Sequence, residues 1–405
     1  MKWLKDGSIT SPRNFQGNGV CAGIKNLNNK DLALVVSSKP AQAAGMITKN
    51  RIKAASCLVT AEHLANGEAQ AFFINSGNAN CGTGLGVKES VAKTELLLGQ
   101  VAEKLELEPE NILYGSTGVI GVELPFDRIE GALDRLVEGL SLEGGHAAAE
   151  AIMTTDTRIK QTALSFNLHG KDITIGAMAK GSGMVHPNMA TMLVFLTTDL
   201  AIDKLLLKEA LNSAVGESFH RLTIDGDTST NDMVLILANG MALNPMITGR
   251  NRDYELFVSC LTEVCQQLAK EIIRDAEGAT KFITVEVVGA PDRVVADKLA
   301  RSVACSSLVK TAFFGEDANW GRVLMALGNA GVDFSLEKLQ IFYGPHLVFE
   351  KGAACSPFPE AEVSQLLAQP EVTLRIALGA GGASNWIWTC DLSYDYVKIN
   401  ADYRS

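Results

Sequence analysis

Short apolar runs of four to eight residues, each closed by Gly, Asn, Asp or Pro, recur through the whole chain and alternate with longer segments of helical period. Residues 31–38, 71–75, 162–168, 192–197, 233–238, 282–288, 339–342 and 372–378 read as strands. Residues 87–105, 126–140, 146–153, 202–219, 254–275 and 320–327 read as helices. Elements interleaved in this way must bury their apolar faces against one another, which predicts an α+β fold built in layers. At 405 residues the chain is long for a single core, yet no repeat, low-complexity tract or Pro-rich linker divides it. The best boundary lies near residue 281, where helix 254–275 gives way to a new strand pattern. Residues 1–280 are expected to form the larger domain and 281–405 a smaller α/β domain.

Charge narrows the partners. A formal net charge of -10 offers no basic footprint for nucleic acid or an anionic membrane, so small-molecule chemistry is favoured. The amino terminus lacks the apolar stretch of a secretory signal, and no run approaches the roughly 18 apolar residues of a membrane span. A cytoplasmic protein is expected. Eight cysteines lie scattered without a C-x-x-C pair and read as reduced, mostly buried thiols. Six histidines form no H-E-x-x-H helix, so no metal is expected.

Residues 180–199, KGSGMVHPNMATMLVFLTTD, carry the most chemistry: a Gly-rich turn delivers Thr191 to the start of an apolar strand. If the Thr191 hydroxyl attacks the carbonyl of Ala190 and the peptide breaks, hydroxyl and new α-amine end on one residue, a nucleophile carrying its own base. A free α-amine has a pKa of roughly 7.7 to 8.0, suited to general-base work near neutrality. The plain alternative is a threonine whose β-branch suits a strand start. On these residues alone both readings stand.

Residues 176–182 have glycines at P-loop spacing but Ser182 where lysine should follow, residues 17–23 miss G-x-G-x-x-G by one position, and no G-x-S-x-G elbow occurs. Nucleotide-binding and α/β-hydrolase readings therefore fail. Residues 111–121, NILYGSTGVIG, read as a strand ending in an exposed turn, whose amides and hydroxyls suit an oxyanion or merely a strand-to-helix turn. Residues 75–80 and 222–232 are dense in short polar side chains that organise backbone; the latter lacks the order of a calcium loop. Glu277 beside a glycine at a helix exit is unfavourable for the helix dipole and invites either a specific role or plain solvation.

Seven segments, in order along the chain, together resemble one family: NSGNAN at 75–80, GSTG at 115–118, MTTDT at 153–157, the stretch from KGSGM to ATML at 180–193, DGDTSTND at 225–232, KTAFFGEDANWGR at 310–322 and CDLSYDYVKINADYR at 390–404. The family is ornithine acetyltransferase, the glutamate N-acetyltransferase of arginine biosynthesis. The resemblance implies an N-terminal-nucleophile-like αββα sandwich that cuts itself at Ala190-Thr191 into chains 1–190 and 191–405, commonly assembled as α2β2. It implies that Thr191 takes the acetyl group of N2-acetyl-L-ornithine and passes it to L-glutamate. By position, Thr117 and Gly118 would form the oxyanion hole, and Thr154, Lys180, Thr191, Glu277, Asn400 and Ser405 would contact substrate, the carboxyl-terminal tail returning to the active site. Lys180 suits a substrate carboxylate and Glu277 an amine. Ser405 departs from the threonine with which the family usually ends, keeping the hydroxyl and losing a methyl.

No cofactor is implied. No CoA-specific motif decides whether acetyl-CoA serves as a second acetyl donor, so monofunctional and bifunctional forms both stand. The nearest competing enzyme is an autoproteolytic amidase or aminopeptidase of related fold, with water as acceptor; a catalytically idle binding protein is the alternative from another class. The whole-chain match speaks against the first, and the presence of Thr191, Thr117, Gly118 and Lys180 against the second.

Overall fold

The computed structural model describes residues 1–186 and 192–402. The chain divides into two compact units, residues 1–220 with 227–272, and residues 221–226 with 273–402. Nine strands make the sheet of the first unit: β1 (Lys2–Trp3), β2 (Phe15–Val20), β3 (Leu32–Ile47), β4 (Glu68–Asn78), β5 (Ile112–Val119), β6 (Lys160–Leu168), β7 (Lys171–Lys180), β8 (Leu193–Thr198) and β9 (Met233–Ala238). Their order is β1-β6-β7-β8-β9-β3-β4-β5, with β2 also on β3.

The length of β3 turns this sheet into two layers. Its first half pairs with β2 and β4, its register with β4 shifts between Val36 and Ala41, and its second half pairs with β9. The two halves then bury their inner faces on each other. Val35, Phe72, Ile74 and Leu113 from one half share a core with Met178, Leu193, Phe195, Met233, Leu235 and Leu237 from the other. Phe72 and Phe195 meet across it with ring centroids 5.1 Å apart. On the outer face of the first half, Leu34, Phe73 and Tyr114 pack with Leu97, Leu98 and Val101 of helix Val87–Leu105 and with Ile129, Leu133 and Leu136. Helix Lys204–Gly216 lies on β3 and β9. The result is a layered αββα sandwich, as expected. Because both faces of the sheet are covered, strands such as β9 (MVLILA) are buried at every residue and read as continuous apolar runs.

The second unit holds a six-stranded sheet of β10 (Phe282–Ala290), β11 (Gln340–Tyr343), β12 (His346–Glu350), β13 (Ala353–Ala354), β14 (Glu371–Ala377) and β15 (Ala383–Cys390), in the order β13-β12-β11-β14-β10-β15. Alternation in β14, with Val372, Leu374 and Ile376 inward, sets one face against helices that include Arg293–Ala304 and Trp320–Gly328. Among the described residues, no helix is long and apolar enough to cross a membrane.

Two local readings change. Segment 126–140 is two short helices, Phe126–Glu130 and Leu133–Glu138, interrupted at Gly131, where glycine weakens the helical repeat. Residues 111–121 do end in an exposed bend, but it begins only at Ile120: β5 continues to Val119, with Ser116 and Thr117 buried in the strand. Parallel pairing to β4 carries the strand past the point at which its glycines suggest a break.

Candidate active site

The parallel pair β4/β5 brings Ser76 opposite Thr117 and Gly77 opposite Gly118, after which Asn78 faces both Thr117 and Val119 in a bulge. A bulge turns backbone groups out of the ladder and re-aims the side chains beside it. Gly118 has φ +131°. A Cβ there would lie 2.3 Å from the carbonyl carbon of Gly77, so the close approach itself excludes every side chain.

Polar side chains beneath this strand end fix it. Asn231 Nδ2 donates to the carbonyls of Ala79 (2.6 Å) and Ser116 (2.8 Å), the Ser116 hydroxyl donates to Ala79 O at 2.8 Å, and Ser56 Oγ lies 2.8 Å from Ser116 Oγ. The 75–80 segment does organise backbone: Asn75 Nδ2 donates to Asn78 O, Asn78 Oδ1 accepts from Asn80 N–H, and the Tyr114 hydroxyl donates to Asn75 Oδ1. All of these groups are buried, where an unpaired polar atom would be costly, so the network specifies one arrangement.

Lys180 ends β7 and is only 3% exposed; its Nζ donates to Thr117 Oγ1 at 3.3 Å. Asp156 is the anion of this region. Its Oδ1 accepts from Lys160 Nζ at 2.6 Å and from Gly181 N–H at 2.8 Å, and its Oδ2 accepts from Thr154 N–H at 2.9 Å. Burial opposes ionisation of Asp156, but Lys180, Lys160 and the Gly181 N–H outweigh it and hold the carboxyl down at about 2. One carboxylate thus ties Thr154 to the strand end that carries Lys180. The 153–157 motif drew attention to Thr154 alone; the role of Asp156 has no signal in the sequence beyond its place in that motif.

At the start of β9, the fully buried Asp232 accepts from the Met192 N–H through Oδ1 at 3.1 Å. Burial drives its carboxyl well above the usual range, against the pull of that N–H and of Lys180.

Glu277 and Asn400 meet within the second unit, Asn400 Nδ2 donating to Glu277 Oε2 at 2.8 Å and to Tyr396 O at 3.0 Å. Gly278, at φ +67°, leaves no room for a Cβ, which would sit 2.5 Å from Tyr396 N. The Ser393 hydroxyl donates to Gly278 O at 2.6 Å, and Asp391 accepts from the N–H groups of Thr280 and Lys281. The turn that follows helix Arg252–Arg274 is therefore fastened to the approach of helix Tyr394–Asp402, which gives Glu277 a specific partner at that helix exit. Ala190, Thr191 and Ser405 lie outside the described residues.

A layered αββα sandwich with a glycine-dependent strand end, a threonine hydroxyl and a buried lysine side by side has the parts of an acyl-transferring enzyme. The ArgJ family model matches residues 16–405. The arginine biosynthesis bifunctional protein ArgJ of Symbiobacterium thermophilum is 49% identical over 408 residues, covering 100% of each chain, and that of Dehalococcoides mccartyi is 46% identical over 405 residues, covering 99% of this chain and 98% of its own. The crystal structure of the arginine biosynthesis bifunctional protein from Bacillus halodurans aligns at 43% identity and TM-score 0.50, over 53% of this chain and 100% of that one. The chain belongs to the ArgJ family and is an acyltransferase of arginine biosynthesis.

Proposed function

We propose that this chain moves the acetyl group of N2-acetyl-L-ornithine to L-glutamate through an ester on Thr191, after cutting itself at Ala190-Thr191. In the first event, the Thr191 hydroxyl adds to the Ala190 carbonyl, the nitrogen of that peptide leaves as the Thr191 amine, and water releases the Ala190 carboxylate from the ester. In the second, the same hydroxyl adds to the acetyl carbonyl of the donor, its proton passing to the Thr191 amine. The tetrahedral oxyanion is held by the Thr117 hydroxyl and the Gly118 N–H, and ornithine departs with the proton. Glutamate then repeats the addition in reverse sense, its amine taking the acetyl from the ester.

The contact between Lys180 and Thr117 beside the sterically closed Gly118 carries this reading most directly. A cation beside Thr117 supports the reading, because it suits the carboxylate that both substrates carry. Thr154, Glu277, Asn400 and Ser405 complete the substrate contacts, with Glu277 facing an amine. Chain length supports the cleavage. Thr191 to Ser405 is 215 of 405 residues, or 53% of the sequence, and the solved Bacillus halodurans chain, matched over its full length, spans 53% of this chain.

Acetyl-CoA is a second donor in this proposal, because the relatives are named bifunctional. The cleaved chains stay together as α2β2 in the cytoplasm. Supplying glutamate with either acetylornithine or acetyl-CoA and measuring N-acetylglutamate tests the assignment. Product is expected from both donors; product from neither would refute the reading, and product from acetylornithine alone would remove the second activity.

A further inference from the structure

The loop between β2 and β3 is held far more firmly than a connection requires. Buried Asp31 accepts from the N–H groups of Ala22 (2.6 Å), Ile24 (2.6 Å) and Lys25 (3.1 Å). Arg128 Nη1 donates to Gly23 O at 2.6 Å, Arg135 Nη2 donates to Cys21 O at 3.2 Å, and Asn26 Oδ1 accepts from the N–H groups of Asn28 and Asn29. What these bonds fix in place is Lys25. Its stem crosses Gly77, where a Cβ would lie 2.7 Å from Lys25 Cγ, and Gly77 is the residue paired with Gly118. Its Nζ donates to Lys30 O at 3.0 Å, and among the described residues no carboxylate lies within ion-pair distance of it. The nearby Glu150 is taken by Lys30 at 2.7 Å.

We propose that Lys25 is the specificity residue of the acceptor step: its amine, carried on a stem held against Gly77 beside the Thr117–Gly118 strand end, takes the side-chain carboxylate of glutamate. This rests on the acetyl-transfer reading above. In that reading one site admits two amino acids that share an α-carboxylate and differ in the side chain, which ends in an ammonium in ornithine and in a carboxylate in glutamate. A fixed cation would favour the acceptor and repel the leaving ornithine. Lys25 escapes the conflict because burial and Lys180 lower its pKa to about 8 against the opposing pull of Asp31, Asp156 and Glu150. Deprotonating such an amine at pH 7 costs about tenfold in population, against roughly three thousandfold for an ordinary lysine. The same side chain therefore serves glutamate as an ammonium and ornithine as a neutral amine.

The test separates the two half-reactions in the cleaved enzyme, with ornithine exchange into acetylornithine for the donor and deacetylation by glutamate for the acceptor. Lys25→Met should lower kcat/KM for glutamate at least tenfold more than it lowers exchange. Lys25→Arg, permanently charged, should recover glutamate use and depress ornithine exchange. Equal losses for both substrates in Lys25→Met, or an arginine variant that behaves like the methionine one, would overturn the proposal. The wild-type enzyme provides a readout that no folding defect can cloud. Calorimetry at pH 8 in two buffers of different ionisation enthalpy should show proton uptake on binding glutamate and proton release on binding ornithine. Identical proton balance for the two ligands would also overturn it. Failure of the wild type to make N-acetylglutamate from acetylornithine would instead strike the underlying reading.

Discussion

Thr117 was visible as a candidate from its neighbours in the sequence, but its surroundings were not. A G-S-T-G run reads as a turn because glycine tolerates turns, whereas pairing with β4 keeps it in a strand and buries the hydroxyl against Lys180. Thr117→Ala should lower kcat by about 10² to 10³ in a correctly cleaved enzyme, the usual cost of one oxyanion donor. Unchanged kcat would remove Thr117 from that role. Asp156 went unseen for a different reason: nothing in the sequence marks which of many aspartates will be buried between two lysines. Its folded carboxyl, near 2, lies below the ordinary value of 3.8, so its stabilising contribution is complete above the unfolded value and is lost as pH falls through about 2. That contribution is about 2 kcal/mol by the size of the shift. Urea midpoints from pH 7 down to pH 2 should fall for the wild type more steeply than for Asp156→Asn, which starts lower because it leaves Lys160 without its anion. Parallel pH profiles would assign the acid sensitivity elsewhere.

Elements with a strong period were legible. Residues 87–105 and 233–238 were read to their observed ends, because one shows an amphipathic stripe and the other an unbroken apolar run. β3 was read only over 31–38, since Lys39 and Pro40 interrupt the pattern at the place where the strand shifts register and passes to a second partner. That bend makes two layers from one sheet, and no local signal announces a change of partner. Helix Lys204–Gly216 starts two residues after its expected onset because Asp203 caps it, accepting from the N–H groups of Leu205 and Leu206. Asp203→Ala should cost about 1 kcal/mol, read as a lower urea midpoint with the slope unchanged. Loss of activity without loss of stability would contradict a capping role. Asn231 belongs to the same scale, since a residue preceding β9 supports the end of β5. Only the tertiary fold relates these two places, so the sequence shows a polar loop and not what it supports.

For the whole molecule, the family resemblance supplied what local reading did not, a reason to connect Thr191, Thr117, Lys180, Glu277 and Asn400 in one chemistry. The structure adds two groupings: Thr117 with Lys180, Thr154 and Asp156 in one unit, and Glu277 with Asn400 in the other. In the proposed reaction one threonine, freed by self-cleavage, carries the acetyl group between two amino acids. Intact-mass measurement of enzyme mixed with acetylornithine in the absence of glutamate tests it most directly. Two chains divided at Ala190-Thr191 are predicted, with one acetyl group on the chain that begins at Thr191 and its loss on adding glutamate. A single 43.2 kDa chain that never gains an acetyl group, yet transfers it at full rate, would rule out Thr191 as the acetyl carrier.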